Sequence, residues 1–262
     1  MGSATAQALE ASSSALTAAQ PITLDVAGDL FSASRLIGES TALSGALADA
    51  SAPADARAAL ASRVFAGASA AAQNVLGTVV SQRWSSSADL VEGVEELAVR
   101  AVAIAAPDAD IEGELFSVSR LVADNSDLEL ALGSRMGGGA AKAALVQKLI
   151  DTRVHPATAL IVTSLVREPR GRRVRRLLGR AMRIVSSQRD RIVATVHTAA
   201  PLSAAQRDRL RTVLAGRYGR QIALNEVLDS SVVGGLRVQV ADDVIDGSIA
   251  ARLADLRQKL AG

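Results

Sequence analysis

The sequence contains no cysteine and very few aromatic residues. Its 262 residues include one tryptophan, one tyrosine and three phenylalanines. The absence of cysteine excludes disulfide bonds and thiolate metal sites. Hydrophobic residues nevertheless make up 49% of the chain. Much of this apolar content is alanine, which favours α-helices that pack through small side chains.

Long uncharged stretches are also missing. No window approaches the ~18 consecutive apolar residues that indicate a membrane-spanning helix. No basic residue precedes Arg35, whereas a secretory signal begins with a positively charged region. We therefore expect a soluble, intracellular protein that associates with a membrane only by docking on a membrane assembly.

Charge is distributed unevenly along the chain. Residues 1–112 contain 5 Lys/Arg and 13 Asp/Glu, whereas residues 113–262 contain 24 and 14. This asymmetry is typical of an elongated protein with different partners at its two ends. It is equally typical of an ordinary solvated basic surface, so both interpretations stay open.

An internal repeat is present in the N-terminal part. The segment GDLFSASRL at 28–36 is similar to GELFSVSRL at 113–121, with an offset of 85 positions. Apolar residues at helical spacing predict several short amphipathic helices in each copy, and Leu36 and Ile37 are expected on the apolar stripe of the first of them. These features indicate a duplicated helical module.

The pattern changes near residue 190. Ile192, Ala194 and Val196 alternate with other residues, which predicts a strand. We divide the chain accordingly into an N-terminal segment, a helical domain with two repeat copies and a small C-terminal α/β domain: 1–27, 28–188 (copies 28–105 and 113–186) and 190–262.

A helix is expected after this strand. Ser203 and Gln206 have the spacing of a capping box, and Gly219 is placed to terminate the helix. Leu210, Val213 and Leu214 are its predicted buried residues, and a second strand is predicted at 221–227.

The segment VVGGLRVQVADDVIDGSIAARLADL, at 232–256, is the most distinctive in the chain. Its diglycine, Gly234-Gly235, predicts a bend or bulge that enters a strand. Leu236, Val238 and Val240 alternate with polar residues, as in a half-buried strand.

The second half of this segment predicts a turn, a short strand and a helix. The turn is Ala241–Asp243, and Val244-Ile245 return to the sheet. Asp246, followed by Gly247 and Ser248, is expected to cap a final helix. One face of that helix carries Ile249, Leu253, Leu256 and Leu260.

Residues with catalytic chemistry form no recognisable site. Gly137–Gly139 and Lys142 lack the spacing of a phosphate loop, so an inter-helix loop is predicted there. His155 and His197 have no neighbouring carboxylate or partner at metal-ligand spacing, and we interpret them as a helix-entry residue and a strand residue. We therefore predict no catalytic residue, no cofactor-binding residue and no metal ligand.

Arginines crowd into residues 167–183. Their density is sufficient to neutralise phosphates, but no aromatic residue lies between them to stack on bases. Apolar residues at helical spacing indicate an amphipathic helix with a basic face. Its candidate partner-binding residues are Arg172, Arg173, Arg176 and Arg180. A nucleic-acid-binding protein that uses Arg167–Arg183 remains the alternative.

From Ile192 to Leu260 the chain resembles the delta subunit of F-type ATP synthases. The likeness includes a strand followed by Ala-Ala-Pro-Leu-Ser at 199–203, and then Asp229. The remaining signature residues are Val232, Val233, Gly234, Gly235, Leu236, Val238, Asp246, Gly247, Ser248 and Leu253. The duplicated helical module and the composition rich in alanine and arginine are similar to the long variant of high-GC Gram-positive bacteria, the actinobacterial type.

This resemblance implies a mainly α fold, in which a helical bundle precedes a small C-terminal α/β domain. It also implies a non-catalytic stator subunit without a cofactor, present once per complex at the cytoplasmic face of the cell membrane. The helical domain would bind alpha subunits of the catalytic head, and the C-terminal region would bind b subunits of the peripheral stalk. Proton-driven rotation would thereby be coupled to ATP synthesis, with no role for nucleic acid and no direct membrane contact.

Overall fold

The computed structural model describes residues 2–133, 137–232, 234–240, 243–247 and 249. Within these ranges, helices fill the N-terminal part and a small mixed sheet with one helix follows. The predicted fold class, a helical bundle followed by a small α/β domain, is therefore confirmed. In the part of the chain that the structure describes, no helix is both long and apolar enough to cross a membrane.

The first six helices form one packed unit, which we call the first module. They are α1 (Ser3–Ala18), α2 (Leu24–Glu39), α3 (Thr41–Ala48), α4 (Ala54–Val64), α5 (Ala70–Ser81) and α6 (Ser87–Ala105). The hydroxyl groups of Thr23, Ser40 and Ser86 cap α2, α3 and α6 by accepting backbone N–H bonds, which satisfies donors that helix starts leave free. Residues 2–27 contain α1, whose Leu16 is fully buried in the common core.

Five further helices follow. They are α7 (Ile111–Ala123), α8 (Ser126–Gly133), α9 (Gly139–Ile150), α10 (Pro156–Arg167) and α11 (Val174–Gln188). When α2 to α6 are shifted by 85 positions along the sequence, they coincide in order with α7 to α11 to within two residues at each end. The register seen in the repeated sequence thus extends over five helices.

Helix α6 belongs to both repeated units. Shifting α1 by 85 positions places it on residues 88–103, inside α6. Just as α1 packs against α5 and α6, α6 packs against α10 and α11. We therefore call α6–α11 the second module. The two modules share one helix, whereas the copy boundaries taken from the sequence assign α6 to the first copy alone.

The buried faces follow the helical period. In α2, Leu30, Ser34 and Ile37 are buried, at the spacing of three to four residues that keeps side chains on one face. Leu36 is 42% exposed, so its predicted place on the apolar stripe is wrong. It lies next to Ile37 in sequence, which rotates it about 100° around the helix axis.

The C-terminal α/β domain consists of β1 (Arg191–Thr198), α12 (Ala204–Tyr218), β2 (Gln221–Leu228), β3 (Leu236–Val240) and β4 (Asp243–Asp246). The strand order is β2-β1-β3-β4. β1 and β2 are parallel and joined through α12, whereas β1–β3 and β3–β4 are antiparallel. Its core contains Ala194, Val196, Leu214, Ile222, Val238 and Val240.

Both predicted ends of α12 are confirmed. Ser203 and Gln206 form a reciprocal capping box, and Gly219 terminates the helix with a φ of 68°, a conformation that glycine adopts without a steric penalty. Leu214 is buried and Leu210 partly so, but Val213 is 59% exposed. The prediction that Val213 is buried is wrong, because α12 presents only a narrow face to the sheet.

The last described segment differs in part from the prediction. Asp243 begins β4 and Asp246 ends it, opposite Arg237; apart from Ile249, the final helix that Asp246 is predicted to cap lies outside the described residues. The short strand at Val244-Ile245 is confirmed. Other residues of these sequence predictions lie outside the described residues: Val233, Ala241, Asp242, Ser248, Leu253, Leu256 and Leu260.

Candidate partner-binding surfaces and junctions

The four arginines proposed as a basic face separate into two pairs. Arg173 and Arg176 are exposed. Arg172 and Arg180 instead turn towards carboxylates of α6. The structure therefore brings only part of the predicted face to the surface, while the rest of it joins helices within the protein.

The first junction lies where the loop before α11 meets α6. Arg172 binds the Glu95 carboxylate with two parallel hydrogen bonds of 2.8 and 2.7 Å. Arg170 donates to the same carboxylate and to the Ser34 hydroxyl at 3.2 Å. Glu95 is only 5% exposed, and burial lowers the pKa of Arg170 below its usual value. A buried carboxylate held by two guanidinium groups fixes the α10–α11 loop on α6.

A second group of ion pairs joins α6 to α11. Arg180 donates to Glu92 at 2.6 Å and to Glu96 at 3.3 Å. Glu96 also accepts from Arg100 at 2.8 Å, and Arg100 donates to Gln188 at 3.1 Å. Burial alone would lower the pKa of Arg180, but the two glutamates outweigh it and raise the pKa.

The second junction connects the helical part to the sheet. Arg189 follows α11 and donates to Glu112 at 2.6 Å, to the Ala109 carbonyl at 2.9 Å and to the Ala106 carbonyl at 2.6 Å. The side chains of Arg189 and Glu112 are 7% and 1% exposed. Burial lowers the pKa of Arg189, whereas the charge of Glu112 acts in the opposite direction.

Further contacts converge on the same place. The Ser186 hydroxyl lies 3.5 Å from Glu112, and Arg191 of β1 lies 3.8 Å from it. Asn225 of β2, which is 3% exposed, donates to the Met182 sulfur of α11 at 3.2 Å. The buried Glu112 carboxylate thus contacts Ser186 near the end of α11, Arg189 in the link that follows and Arg191 in β1.

These junctions account for part of the uneven charge. Glutamates of the acidic part, Glu92, Glu95, Glu96 and Glu112, pair with arginines of the basic part, Arg170, Arg172, Arg180, Arg189 and Arg191. Opposite charges therefore meet inside the molecule, around the shared helix α6 and at the junction with the sheet.

Left-handed backbone conformations occur at both junctions. Among the described residues, Arg170 and Asp190 are the non-glycine residues with positive φ, at 50° and 54°. A left-handed conformation costs most L-residues, such as Arg170, roughly 1–2 kcal/mol, and such strain persists where surrounding contacts over-determine it.

The described signature residues lie in the β3–β4 hairpin or next to it. Gly234 and Gly235 have φ values of 61° and 91° directly before β3, which confirms the predicted bend. The Gly247 N–H donates to the Leu236 carbonyl, and the Ile249 N–H donates to the Gly234 carbonyl, both at 2.9 Å. Val238 is buried at 2% exposure and Val232 at 7%.

The two histidines have structural surroundings. The His155 side chain accepts from the Ala157 N–H and caps α10, which confirms the helix-entry prediction. His197 lies in β1, as predicted, but its Nδ1 is 3.5 Å from Asp229. The prediction that neither histidine has a neighbouring carboxylate is therefore wrong, because the parallel pairing of β1 and β2 brings distant segments together.

No group of three or more metal-ligating side chains occurs within the described ranges. Two clefts lie between elements of the fold. One of about 870 Å³ lies between α7 and the edge of the sheet at β2 and is lined by charged side chains and by apolar ones, among them Phe116, Leu121 and Leu228. Another of about 770 Å³ lies between α2 and α10.

Sequence reasoning missed the carboxylate side of both junctions. It noted the arginines as a surface and did not single out Glu95 or Glu112. The available signal was the charge asymmetry itself, together with the spacing of Glu96 and Arg100, which places them one turn apart on a helix.

A family model and several relatives of known name match this chain. Residues 97–260 match the family model described as ATP synthase delta (OSCP) subunit. The chain is 44% identical to ATP synthase subunit delta of Leifsonia xyli subsp. xyli, over 100% of both chains. It is 42% identical to the protein of the same name from Streptomyces avermitilis, over 91% of this chain and 89% of that one. The corresponding protein of Nocardia farcinica is 37% identical, over 98% and 97%.

Proposed function

Because this chain belongs to the ATP synthase delta (OSCP) subunit family, we propose that it is a non-catalytic stator subunit. It ties the catalytic head to the peripheral stalk, so that proton-driven rotation is coupled to ATP synthesis. One copy serves each complex, at the cytoplasmic face of the cell membrane, and the protein associates with the membrane only through the complex.

The assignment of partners to regions is part of this proposal. The helical modules bind N-terminal segments of alpha subunits, and the α/β domain at 190–262 binds b subunits. Amphipathic helices of partners commonly bind in grooves between helices through apolar anchors. Two simultaneous contacts raise each other's effective concentration, so individually modest interfaces give a durable attachment.

The observation that carries the proposal is the buried ionic junction between successive units. A tie that resists rotation must transmit force between its two contacts with little internal movement. Glu95 and Glu112 each fix one junction from a position at most 5% exposed. Close packing around such groups gives the interior a low compressibility.

The nucleic-acid alternative receives no comparable support. Arg170, Arg172 and Arg180 bind carboxylates of α6, and Arg175 binds Glu129 at 3.0 Å. These guanidinium groups already have anionic partners and are therefore less available to neutralise phosphates.

Affinity capture tests the proposal. The tagged full-length chain, expressed in its own host, should retain both alpha and b subunits from detergent-solubilised membranes. The purified chain alone should hydrolyse no ATP. Recovery of neither subunit, or nucleotide turnover by the isolated protein, would contradict the proposed function.

A further inference from the structure

We propose that Glu112 and Arg189 are positioning residues that lock the α/β domain to the second module, so that the two move as one body. Movement between domains of one chain is the default expectation unless their interface is extensive. The contacts at this junction restrict that movement through a buried ion pair placed at the point where the chain crosses from one domain to the other.

The connection itself is short. Helix α11 ends at Gln188 and β1 begins at Arg191, so only Arg189 and Asp190 lie between them. The Arg189 guanidinium group is held by Glu112 and by two backbone carbonyls. Asp190 binds Arg220, which directly precedes β2, at 2.8 Å. Each residue of the link is therefore tied, one to the helical module and the other to the sheet.

The first module provides an internal control for what the helical fold requires. The positions 85 residues before Glu112, Ser186 and Arg189 are Ala27, Ala101 and Ile104. Ala27 and Ala101 are fully buried in the apolar core, and Ile104 packs against it. At these three positions the first module, to which no α/β domain is attached, thus has apolar residues in place of the ionic group. The ionic group is specific to the copy that carries the domain.

Backbone geometry supports the same conclusion. Asp190 has a φ of 54°, a left-handed conformation that aspartate adopts more readily than most residues with a Cβ atom. The Asp190 N–H donates to the Ser187 carbonyl at 3.2 Å. The link therefore makes one defined turn, which sets the direction in which β1 leaves α11.

The significance of the lock for coupling rests on the proposed function. If the protein ties two parts of a rotary machine, a loose link would let torque dissipate as domain movement. Locking the link makes the displacement of one contact equal to that of the other. The lock itself is a property of the isolated chain and can be measured without the complex.

Distance measurements on the full chain test this inference. Because the chain has no native cysteine, Lys148→Cys on α9 and Thr212→Cys on α12 allow specific attachment of two spin labels. Both positions are exposed. Double electron–electron resonance should give one narrow distance distribution for the otherwise unmodified chain.

The decisive variant transplants the residues of the first module. Glu112→Ala/Ser186→Ala/Arg189→Ile removes the ionic group and leaves an apolar set that the same helices already accommodate. Far-UV circular dichroism should be unchanged, while the width of the distance distribution increases about twofold, as expected for domains released to move. Arg189→Lys, which keeps the charge but loses the forked geometry, should lie between the two.

The matched control is Arg35→Ala, which breaks the ion pair with Glu39 on α2 of the first module and should leave the distribution narrow. A narrow distribution in the folded triple variant would overturn the lock. If the distribution broadens but proton-driven ATP synthesis by complexes containing the variant is unchanged, the lock stands and its link to the proposed function fails.

Discussion

The two helical modules preserve their apolar interiors and differ in the charges at their outer contacts. Leu30 of the first module and Leu115 of the second, 85 positions apart, are both fully buried. A carboxylate of the second helix also caps a later helix in both cases: Asp29 accepts from the Ser69 N–H, and Glu114 accepts from the His155 N–H. The repeated parts are therefore those that fold the module.

The differences lie where each module meets its successor. Helix α10 packs on α2 and on the shared helix α6, α11 packs on α6, and the sheet packs on the corresponding helices α7 and α11 of the second module. One docking face is thus used twice, with a helical module on the first occasion and a sheet on the second. Glu95 and Glu112 serve these two contacts separately, which indicates that the specificity of each junction resides in a few buried charges.

Removing one module is expected to have the largest effect. A chain that starts at Ser86 retains the shared helix α6, the rest of the second module and the α/β domain, and it should fold independently. Deletion of 28–105, the first copy as defined from the sequence, also removes α6 and should prevent folding. Circular dichroism and amide hydrogen exchange distinguish the two. If both shortened chains fold, the second module does not need α6, and the claim that the two modules share this helix is contradicted.

Single removal of the buried carboxylate comes next. Glu112→Ala leaves the charge of Arg189 buried without its ionic partner and should lower the free energy of unfolding by about 3–5 kcal/mol. The triple replacement with residues of the first module should cost much less, because no buried charge remains. Urea denaturation measures both. If the triple variant is as unstable as Glu112→Ala, the apolar residues of the first module, such as Ala27, do not fit at this junction, and the comparison between the modules is contradicted.

A matched pair of core substitutions tests whether the modules unfold together. Leu30→Ala and Leu115→Ala should each cost about 3 kcal/mol, since each opens a cavity in a packed interior. Trp84, the only tryptophan, lies buried in the first module and reports on its unfolding. Because the modules share α6, both variants should shift the Trp84 fluorescence transition. A shift with Leu30→Ala alone would indicate independent modules.

The smallest effects concern two exposed carboxylates in similar turns. The Ser231 and Ser51 hydroxyls are the main causes of the lowered pKa values of Asp229 and Asp49, respectively. A lowered pKa in the folded state stabilises the fold above the unfolded-state pKa, and this contribution is lost as pH falls through the folded-state value. Ser231→Ala should therefore raise the Asp229 pKa in a carboxyl NMR titration and leave that of Asp49 unchanged.

His197 offers a control that distinguishes these turns. It faces Asp229 and contributes to its lowered pKa after Ser231, whereas Asp49 has no histidine among the causes of its shift. His197→Ala should thus raise the Asp229 pKa less than Ser231→Ala does. A larger effect of the histidine would reverse the order of the two causes.

Local sequence patterns predicted the elements well where a single chemical rule determines them. The capping box at Ser203, the helix end at Gly219 and the alternation in β3 all follow from neighbouring residues and appear in the structure. Val213 and Leu36 failed because burial depends on which face meets the rest of the protein, and helical spacing alone defines that face only approximately.

The junctions could not be predicted from local pattern. Glu112 and Arg189 are separated by 77 positions, and their pairing depends on the packing of α7 against α11. The arginine-rich segment was therefore interpreted as one basic face, although Arg172 and Arg180 point inwards. The repeat contained the missing information, since alignment of the two copies places Ala27 at the position of Glu112.

Proton-driven ATP synthesis in membrane vesicles depleted of this chain tests the proposed role most directly. Depleted vesicles should hydrolyse ATP at the head but synthesise little, and addition of the intact chain should restore synthesis. Equal rates of ATP synthesis with and without the chain would contradict it.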